Sequence, residues 1–189
     1  KKSLPRYLSL DESIQLLEAV DEPNQARDYC ILTLFLNCGL RISELVSLNI
    51  TDVREEQLRV LGKGNKERMI FLNEACRAAL DDWLEERSRQ AAADPNALFL
   101  TRTHTRMTKD AVHYMVKQRL KKAGLDASLY SSHKLRHTAA TLMLQNGVDV
   151  RTLQEVLGHE NLNTTQIYTH VDNENLRSAA KANPLGRMK

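Results

Sequence analysis

A tyrosine and a set of cations in this chain have the side chains that attack on a phosphodiester requires. The candidates are Tyr168, His133, His159, Arg136, Arg41 and Lys63. Arginine suits the negative nonbridging oxygens, because its guanidinium is always charged, planar and able to bind two oxygens at once. A tyrosine hydroxyl has an ordinary pKa of about 10, so it needs a nearby base or cations before it can attack. The set predicts cleavage with Tyr168 as nucleophile, although a core tyrosine with a bonded hydroxyl is the commoner fate of a lone tyrosine.

The two arginines are expected at the phosphate. Arg41 follows a helix end marked by Gly39, a position from which a side chain can point into a cleft. The alternative for Arg41 alone is a surface ion pair with Glu44, three positions on. His133 and Arg136 are three residues apart on one predicted helix and should share a face.

The histidines favour proton transfer over metal binding. His133 is expected to accept the tyrosine proton or to hydrogen-bond a phosphate oxygen, and His159 lies in a turn after Gly158. His133 and His137 have an i,i+4 spacing that zinc permits, but no glutamate follows the first histidine as in metalloproteases. The basic residues are accompanied by no paired acidic motif, which disfavours a metal-dependent nuclease. We therefore predict neither a metal site nor a cofactor.

A lysine in a turn is the candidate general acid. Lys63 lies at the tip of a predicted hairpin, from which an ammonium can reach the minor groove and protonate the leaving 5′ oxygen. Lys66, three residues on, is the rival, and two solvated turn lysines are the alternative.

The elements that must position these residues are mostly helical. Two β-prone runs, 58–61 and 67–72, flank a turn rich in Gly and Asn and predict an antiparallel hairpin. The predicted helix-capping residues are Ser9, Asn73, Thr108, Ser132, Asp149 and either Asn163 or Thr164, with Gly39, Gly124, Gly147 and Gly158 as stops. The sequence predicts a mainly α fold with one small antiparallel β-sheet (α+β).

Charge is distributed unevenly along the chain. The net charge is +3, but residues 102–122 contain seven Lys or Arg and one acid, whereas residues 11–28 are mostly acidic. This predicts one face that attracts phosphates and another that repels them. The aromatic content of 5% argues against a protein that stacks single-stranded bases. The candidate DNA contacts are Lys66, Arg68, Arg106, Lys109, Lys117 and Lys121.

The cysteines indicate a reducing compartment, and the hydropathy indicates no membrane span. Cys30, Cys38 and Cys76 are odd in number, and their spacing fits no zinc pattern, so we expect buried thiols in a cytoplasmic protein. The chain has no apolar run of membrane-spanning length and no visible signal peptide.

Five segments in order resemble the tyrosine recombinases, especially their Xer-like and phage-integrase branch. These segments are 39–45, 62–68, 133–137, 157–159 and 164–170, and the resemblance extends from about Tyr7 to Leu176. It implies the catalytic-domain fold of that family, with Arg41, Lys63, His133, Arg136 and His159 as the activating set. It also implies Lys63 rather than Lys66 as the acid, and Glu44 as a supporting residue.

The resemblance further implies a mechanism and partners. Tyr168 would attack double-stranded DNA to form a 3′-phosphotyrosyl bond, without ATP or metal. A protein that is monomeric when free would assemble as a tetramer on two sites and pass through a Holliday junction. Its use would be integration and excision or chromosome dimer resolution.

The resemblance also implies an organisation of the chain. Because the chain begins at Lys1, we expect residues 1–9 to be a linker from an N-terminal core-binding domain. Residues 10–170 would be the catalytic domain. Residues 171–189, read as a short helix and a frayed end, would be a tail that docks onto a neighbouring protomer.

Two rival functions fit the same residues. A type IB topoisomerase-like enzyme uses similar chemistry on one duplex, but the short hairpin and compact tail favour a recombinase. A non-catalytic DNA-binding module could retain the fold, but all six chemical positions are filled.

Overall fold

The computed structural model describes residues 7–158 and 173–188, and these form a mainly helical fold with one two-stranded sheet. This confirms the predicted fold class. Three free cysteines lie buried in the core, with the sulfurs of Cys38 and Cys76 at 3.8 Å, as expected for structural thiols. No helix in the described ranges has the length and apolar character needed to cross a membrane.

The first three helices form the centre of the fold. They are α1 (Leu10–Glu18), α2 (Gln25–Cys38) and α3 (Ile42–Val46). The predicted capping box at Ser9 is confirmed, because its hydroxyl accepts the Glu12 N–H at 3.0 Å and the Glu12 carboxylate accepts the Ser9 N–H at 3.0 Å. Almost all of α2 is buried, so this helix is the element on which the others pack.

The predicted hairpin is present. Strands β1 (Gln57–Leu61) and β2 (Glu67–Phe71) pair antiparallel, and a 3₁₀ turn over Lys63–Asn65 joins them. The register places Val60 opposite Arg68. Because cross-strand partners share a face and Val60 is fully buried, Arg68 points toward the protein interior.

Two longer helices close the core beside α2. Helix α4 (Glu74–Ser88) is capped by Asn73, and α5 (Lys109–Lys122) is capped by Thr108. Both caps were predicted. The buried Trp83 of α4 donates its indole N–H to the Leu98 carbonyl at 2.9 Å, so the large side chain is both packed and hydrogen-bonded.

The last helices carry most of the remaining candidates. They are α6 (Ser132–Gln145), α7 (Val150–Leu157) and α8 (Asn173–Ala182). The predicted cap at Asp149 is confirmed, but the cap of α6 is Ser131, one residue before the predicted position. Helices α6, α7 and α8 share a small apolar cluster of their own, formed by Met143, Val148, Leu153, Leu157 and Ala179.

Both ends of the described chain are packed more closely than predicted. At the N-terminal end, Leu8 is fully buried and donates its backbone N–H to the Thr138 hydroxyl at 3.0 Å, so the chain already packs on α6 before α1 begins. At the C-terminal end, Asn183 donates to the Leu36 carbonyl at 3.0 Å and Leu185 is fully buried. The prediction of a frayed end was therefore wrong for residues 183–187, which pack on their own chain.

Candidate functional site

The turn between α2 and α3 presents Arg41. Gly39 ends α2 with φ of 63°, and a Cβ there would lie 2.4 Å from the Leu157 Cδ2, so both the conformation and the space require glycine. The Arg41 backbone N–H donates to Glu44 Oε1 at 2.8 Å, and the two side chains form an ion pair at 3.8 Å. The Arg41 side chain is still 39% exposed. Arg41 can therefore pair with Glu44 and still be reached by a phosphate.

The second candidate arginine, Arg136, is buried behind Arg41. It lies on the inner face of α6, where Nη1 donates to the Gly39 carbonyl and Nη2 donates to the Leu157 carbonyl at 3.0 Å. Leu157 ends α7, and the last carbonyls of a helix lack intrahelical partners and carry partial negative charge. Two helix ends thus hold the Arg136 guanidinium.

A third arginine, Arg68, completes the group in a way the sequence reasoning missed. Its Nη1 and Nη2 bind the two oxygens of the buried Glu44 carboxylate, the second at 3.1 Å, and its Nε donates to the Val156 carbonyl at 3.1 Å. A Cβ on Gly158 would lie 2.9 Å from Nη1, so the guanidinium fits closely against the end of α7. Arg68 is therefore bound within the protein, and a contact between Arg68 and DNA stays a prediction.

The charges in this group do not balance. Burial acts to raise the pKa of Glu44, but hydrogen bonding and charge from Arg68, followed by the Arg41 backbone N–H, hold it below the usual value. Burial, followed by the nearby positive charge of Arg41, lowers the pKa of Arg136 to about 10, and the charge of Glu44 opposes this shift. Three guanidiniums surround one carboxylate, and the excess of positive charge suits an anion such as a phosphate.

The lysine turn lies beside this carboxylate. The hairpin closes with the Gly62 N–H donating to the Lys66 carbonyl at 2.8 Å. A Cβ on Gly62 would lie 3.3 Å from Glu44 Oε2 and 3.6 Å from Arg68 Nη1. Lys63, the next residue, is exposed in the 3₁₀ turn, and Lys66 is exposed too. The turn therefore lies next to the arginine group. Its geometry does not decide which of the two lysines is the acid.

Two histidines lie on the exposed side of α6. His133 is exposed in the first turn of α6, three residues before the buried Arg136. His137 packs against the Tyr7 ring with centroids 6.1 Å apart, which gives it a packing role. Within residues 7–158 and 173–188, no three potential metal ligands are grouped. His159 and Tyr168 lie outside the described residues.

Two more of the predicted DNA contacts also have partners within the protein. Arg106 donates to the Val46 and Leu48 carbonyls at 2.9 and 3.0 Å, and the Lys117 ammonium donates to the Ala127 and Tyr130 carbonyls in the segment before α6. These donors hold connecting segments together, and their contact with DNA stays a prediction. Lys109 and Lys121 are exposed on α5 and stay as predicted contacts.

The expected separation of a basic and an acidic face was wrong along part of α5. Arg119 pairs with Asp28 at 2.8 Å and with Asp21 at 3.0 Å, and Lys122 pairs with Asp21 at 2.7 Å. The acidic N-terminal stretch therefore neutralises the last turn of the basic helix. At the candidate site, by contrast, Arg41, Arg68 and Arg136 share the single carboxylate of Glu44.

Comparison with known proteins gives consistent results. The sequence profile described as the phage integrase family matches residues 6–175. Tyrosine recombinase XerC of Caldanaerobacter subterraneus subsp. tengcongensis is 55% identical over 184 residues, which cover 97% of this chain and 52% of that protein. XerC of Vibrio cholerae serotype O1 is 42% identical over 196 residues, covering 100% of this chain and 62% of that one. The chain thus spans about half to three fifths of the length of these relatives.

Solved structures show the same likeness. The crystal structure of XerA recombinase superposes with a TM-score of 0.77 at 35% identity, over 95% of this chain and 65% of that one. XerH site-specific recombinase bound to difH substrate, in a pre-cleavage complex, superposes with a TM-score of 0.74 at 31% identity, over 95% and 55% of the two chains.

Proposed function

Since this chain belongs to the phage integrase family, we propose that it is the catalytic part of a site-specific DNA recombinase. It cuts and rejoins double-stranded DNA through a 3′-phosphotyrosyl intermediate on Tyr168 and a Holliday junction. The observation that carries the proposal is the excess of positive charge around Arg41, Glu44 and Arg136. Of the two uses considered, the XerC relatives favour chromosome dimer resolution over mobile-element integration.

The arginines stabilise charge on the scissile phosphate. Arg41 approaches from the solvent side and Arg136 from the protein side, so each contacts nonbridging oxygens. Arg136 uses two of its five N–H donors on the Gly39 and Leu157 carbonyls, which leaves donors for a phosphate. Because both guanidiniums are held before DNA arrives, little reorganisation is needed as charge develops in the transition state.

Proton transfers accompany the exchange of bonds. Tyr168 loses its proton to a base, for which His133 is the candidate, and its oxygen forms a bond to phosphorus while the bond to the 5′ oxygen breaks. Lys63 donates a proton to that 5′ oxygen, and His159 hydrogen-bonds the phosphate. The ester bond is conserved on the tyrosine, so a 5′ hydroxyl from a partner duplex reverses the step without ATP.

Assembly and location follow from this chemistry as part of the proposal. Strand exchange between two sites needs four protomers on DNA, formed from a free monomer. Helix α8 packs on its own chain in the single protein, and exchange of this tail between neighbours stays a prediction. A DNA substrate and the free buried cysteines support an activity in the cytoplasm.

A covalent adduct provides the direct test. The full-length protein is incubated with nicked genomic DNA fragments in EDTA, and denaturing gels then reveal DNA attached to protein. We expect an adduct that survives the chelator, is absent from Tyr168→Phe and is retained by Tyr114→Phe, which alters an exposed tyrosine on α5. Sequencing the trapped DNA identifies the target site.

The possible results separate the functions. An adduct that persists in Tyr168→Phe refutes the nucleophile, and loss of cleavage in EDTA indicates a metal-dependent reaction. Relaxation of supercoiled plasmid without recombinant product indicates a type IB topoisomerase-like enzyme. DNA binding with no adduct indicates a non-catalytic module.

A further inference from the structure

Arg68 connects three parts of the candidate site that come from distant segments of the chain. It extends from β2, binds the carboxylate of Glu44 on α3 through both Nη atoms, and donates Nε to Val156 on α7 at 3.1 Å. Its side chain is only 15% exposed. A bidentate arginine fixes orientation as well as distance, which a single point charge does not.

The pair of Arg68 and Glu44 lies directly against the residue that precedes the candidate acid. Gly62 has φ of −91° and ψ of −166°, a conformation that any residue adopts. A side chain at this position is therefore limited by the space around it and not by the backbone conformation. A Cβ there would lie 3.3 Å from Glu44 Oε2 and 3.6 Å from Arg68 Nη1. The ion pair therefore forms the surface on which the start of the lysine turn rests.

We propose that Arg68 is a positioning residue that holds the Lys63 turn, through Glu44 and Gly62, at the place where the lysine protonates the leaving 5′ oxygen. The proposal rests on the proposed function. Lys63 itself is exposed in a three-residue 3₁₀ turn, and short exposed turns are held weakly by their own hydrogen bonds. The contact with a buried ion pair supplies the support that the turn lacks.

This role predicts which chemical step suffers when Arg68 is lost. A misplaced general acid slows departure of an oxygen leaving group, because the 5′ oxygen needs a proton as its bond to phosphorus breaks. A sulfur at that bridging position leaves as a thiolate without a proton. A defect in positioning the acid therefore disappears on the sulfur substrate, whereas a defect in phosphate binding or nucleophile delivery remains.

The experiment measures adduct formation by the full-length protein on matched oxygen and 5′-bridging sulfur substrates. Arg68→Met keeps the length of the side chain and removes the pair, and we expect cleavage of the oxygen substrate to fall by about 10²-fold, the scale of a 1 Å misplacement. The rate on the sulfur substrate should stay close to that of the unaltered protein. Arg59→Met is the matched control, because Arg59 pairs with Asp52 and Glu67 on the same hairpin without contacting Glu44, and it should change neither rate.

Two further variants, Arg68→Lys and Gly62→Ala, test the same role. The result therefore does not depend on whether Arg68→Met folds. Arg68→Lys keeps the charge but cannot bind both carboxylate oxygens and Val156 together, so it should show a smaller defect of the same kind. Gly62→Ala presses on the ion pair from the turn side and should give the same sulfur-sensitive defect with Arg68 intact. In a Lys63→Ala background, Arg68→Met should add little to the loss.

The outcomes distinguish this inference from the proposed function. If the unaltered protein forms no adduct, the proposed function fails. If Lys63→Ala is rescued by sulfur but Arg68→Met and Gly62→Ala are equally slow on both substrates, only the positioning role of Arg68 is overturned. A fully additive loss for Arg68→Met and Lys63→Ala would overturn it as well.

Discussion

Arg136 is charged and buried in surroundings that are mostly positive, so binding of an anion should stabilise the folded protein. A fall in its pKa from the ordinary arginine value to about 10, caused first by burial and then by Arg41, corresponds at about 1.36 kcal/mol per pKa unit to a folded-state cost on the order of 3 kcal/mol. The unfolded chain holds this proton more tightly than the folded chain. The cost is therefore present at every pH below about 10 and is relieved by deprotonation only above it.

At neutral pH, only a counter-charge can relieve this cost, and Arg41, whose side chain is 39% exposed, gives an oxyanion access to the positive charge of this group. An anion at ten times its dissociation constant adds about 1.4 kcal/mol of stability, which raises the melting temperature of a protein of this size by about 3–6 °C. Arg136→Met should abolish this gain. Even if its own melting temperature changes little, because the relieved charge offsets two lost hydrogen bonds, its response to the anion should be small.

The assay is thermal unfolding at pH 7 in sodium sulfate or inorganic phosphate against sodium chloride at equal ionic strength. Sulfate and phosphate also stabilise proteins generally by exclusion from the surface, so the specific effect is the difference between the unaltered protein and Arg136→Met. Arg89→Met, at an exposed i,i+4 pair on α4, should respond like the unaltered protein. An equal gain in all three proteins would refute the idea that this group is an anion site.

Two other substitutions test the support of the site. Glu44→Gln should destabilise the protein by about 3–5 kcal/mol at pH 7, because Arg68 and Arg136 lose their buried counter-charge. The lowered pKa of Glu44 means that its contribution is present above its ordinary value of 4.5 and is lost as the pH falls through the lower folded value. Urea unfolding across this range should thus show a weaker acid dependence in the variant, and an unchanged acid limb would contradict the assignment. Gly39→Ala should destabilise the protein several times more than Gly64→Ala in thermal melts. Both residues have positive φ, but a Cβ on Gly39 would lie 2.4 Å from Leu157, whereas a Cβ on Gly64 would have nothing within 4 Å. Equal losses of stability would show that Leu157 moves aside easily.

Local signals in the sequence predicted the helices well, because their chemistry is local. A hydroxyl, carboxylate or amide oxygen three residues before a backbone N–H is enough to fix a helix start, as at Ser9, Asn73 and Asp149. The start of α6 was misplaced by one residue because Ser131 and Ser132 are chemically equivalent caps. Only the backbone conformation distinguishes them.

Side-chain partners from distant segments were not predictable in the same way. Arg119 lies in a run of basic residues, but its partner Asp28 is 91 positions away, and no local pattern in the sequence predicts the pair. Arg68 is different, because its position opposite Val60 follows from the hairpin alone, and an arginine on a buried strand face needs a buried counter-charge. That signal was available from the sequence and points to Glu44. At the C-terminal end, a fully buried Leu185 between Pro184 and Gly186 depends on a gap in the core that no local pattern reveals.

The end of α7 has a consequence for how the site works. Its last two carbonyls, those of Val156 and Leu157, accept N–H donors from Arg68 and Arg136, and the chain then leaves the helix at Gly158 toward His159 and Tyr168. The same guanidinium that is expected at the phosphate therefore also fixes the point from which the nucleophile segment departs. Any shift of Arg136 on DNA binding would also act on this helix end, because a hydrogen bond joins the charged guanidinium to the Leu157 carbonyl. Under the proposed function, phosphate binding and delivery of the tyrosine are coupled through one residue, with a strength that a hydrogen bond of about 1.5–3 kcal/mol allows.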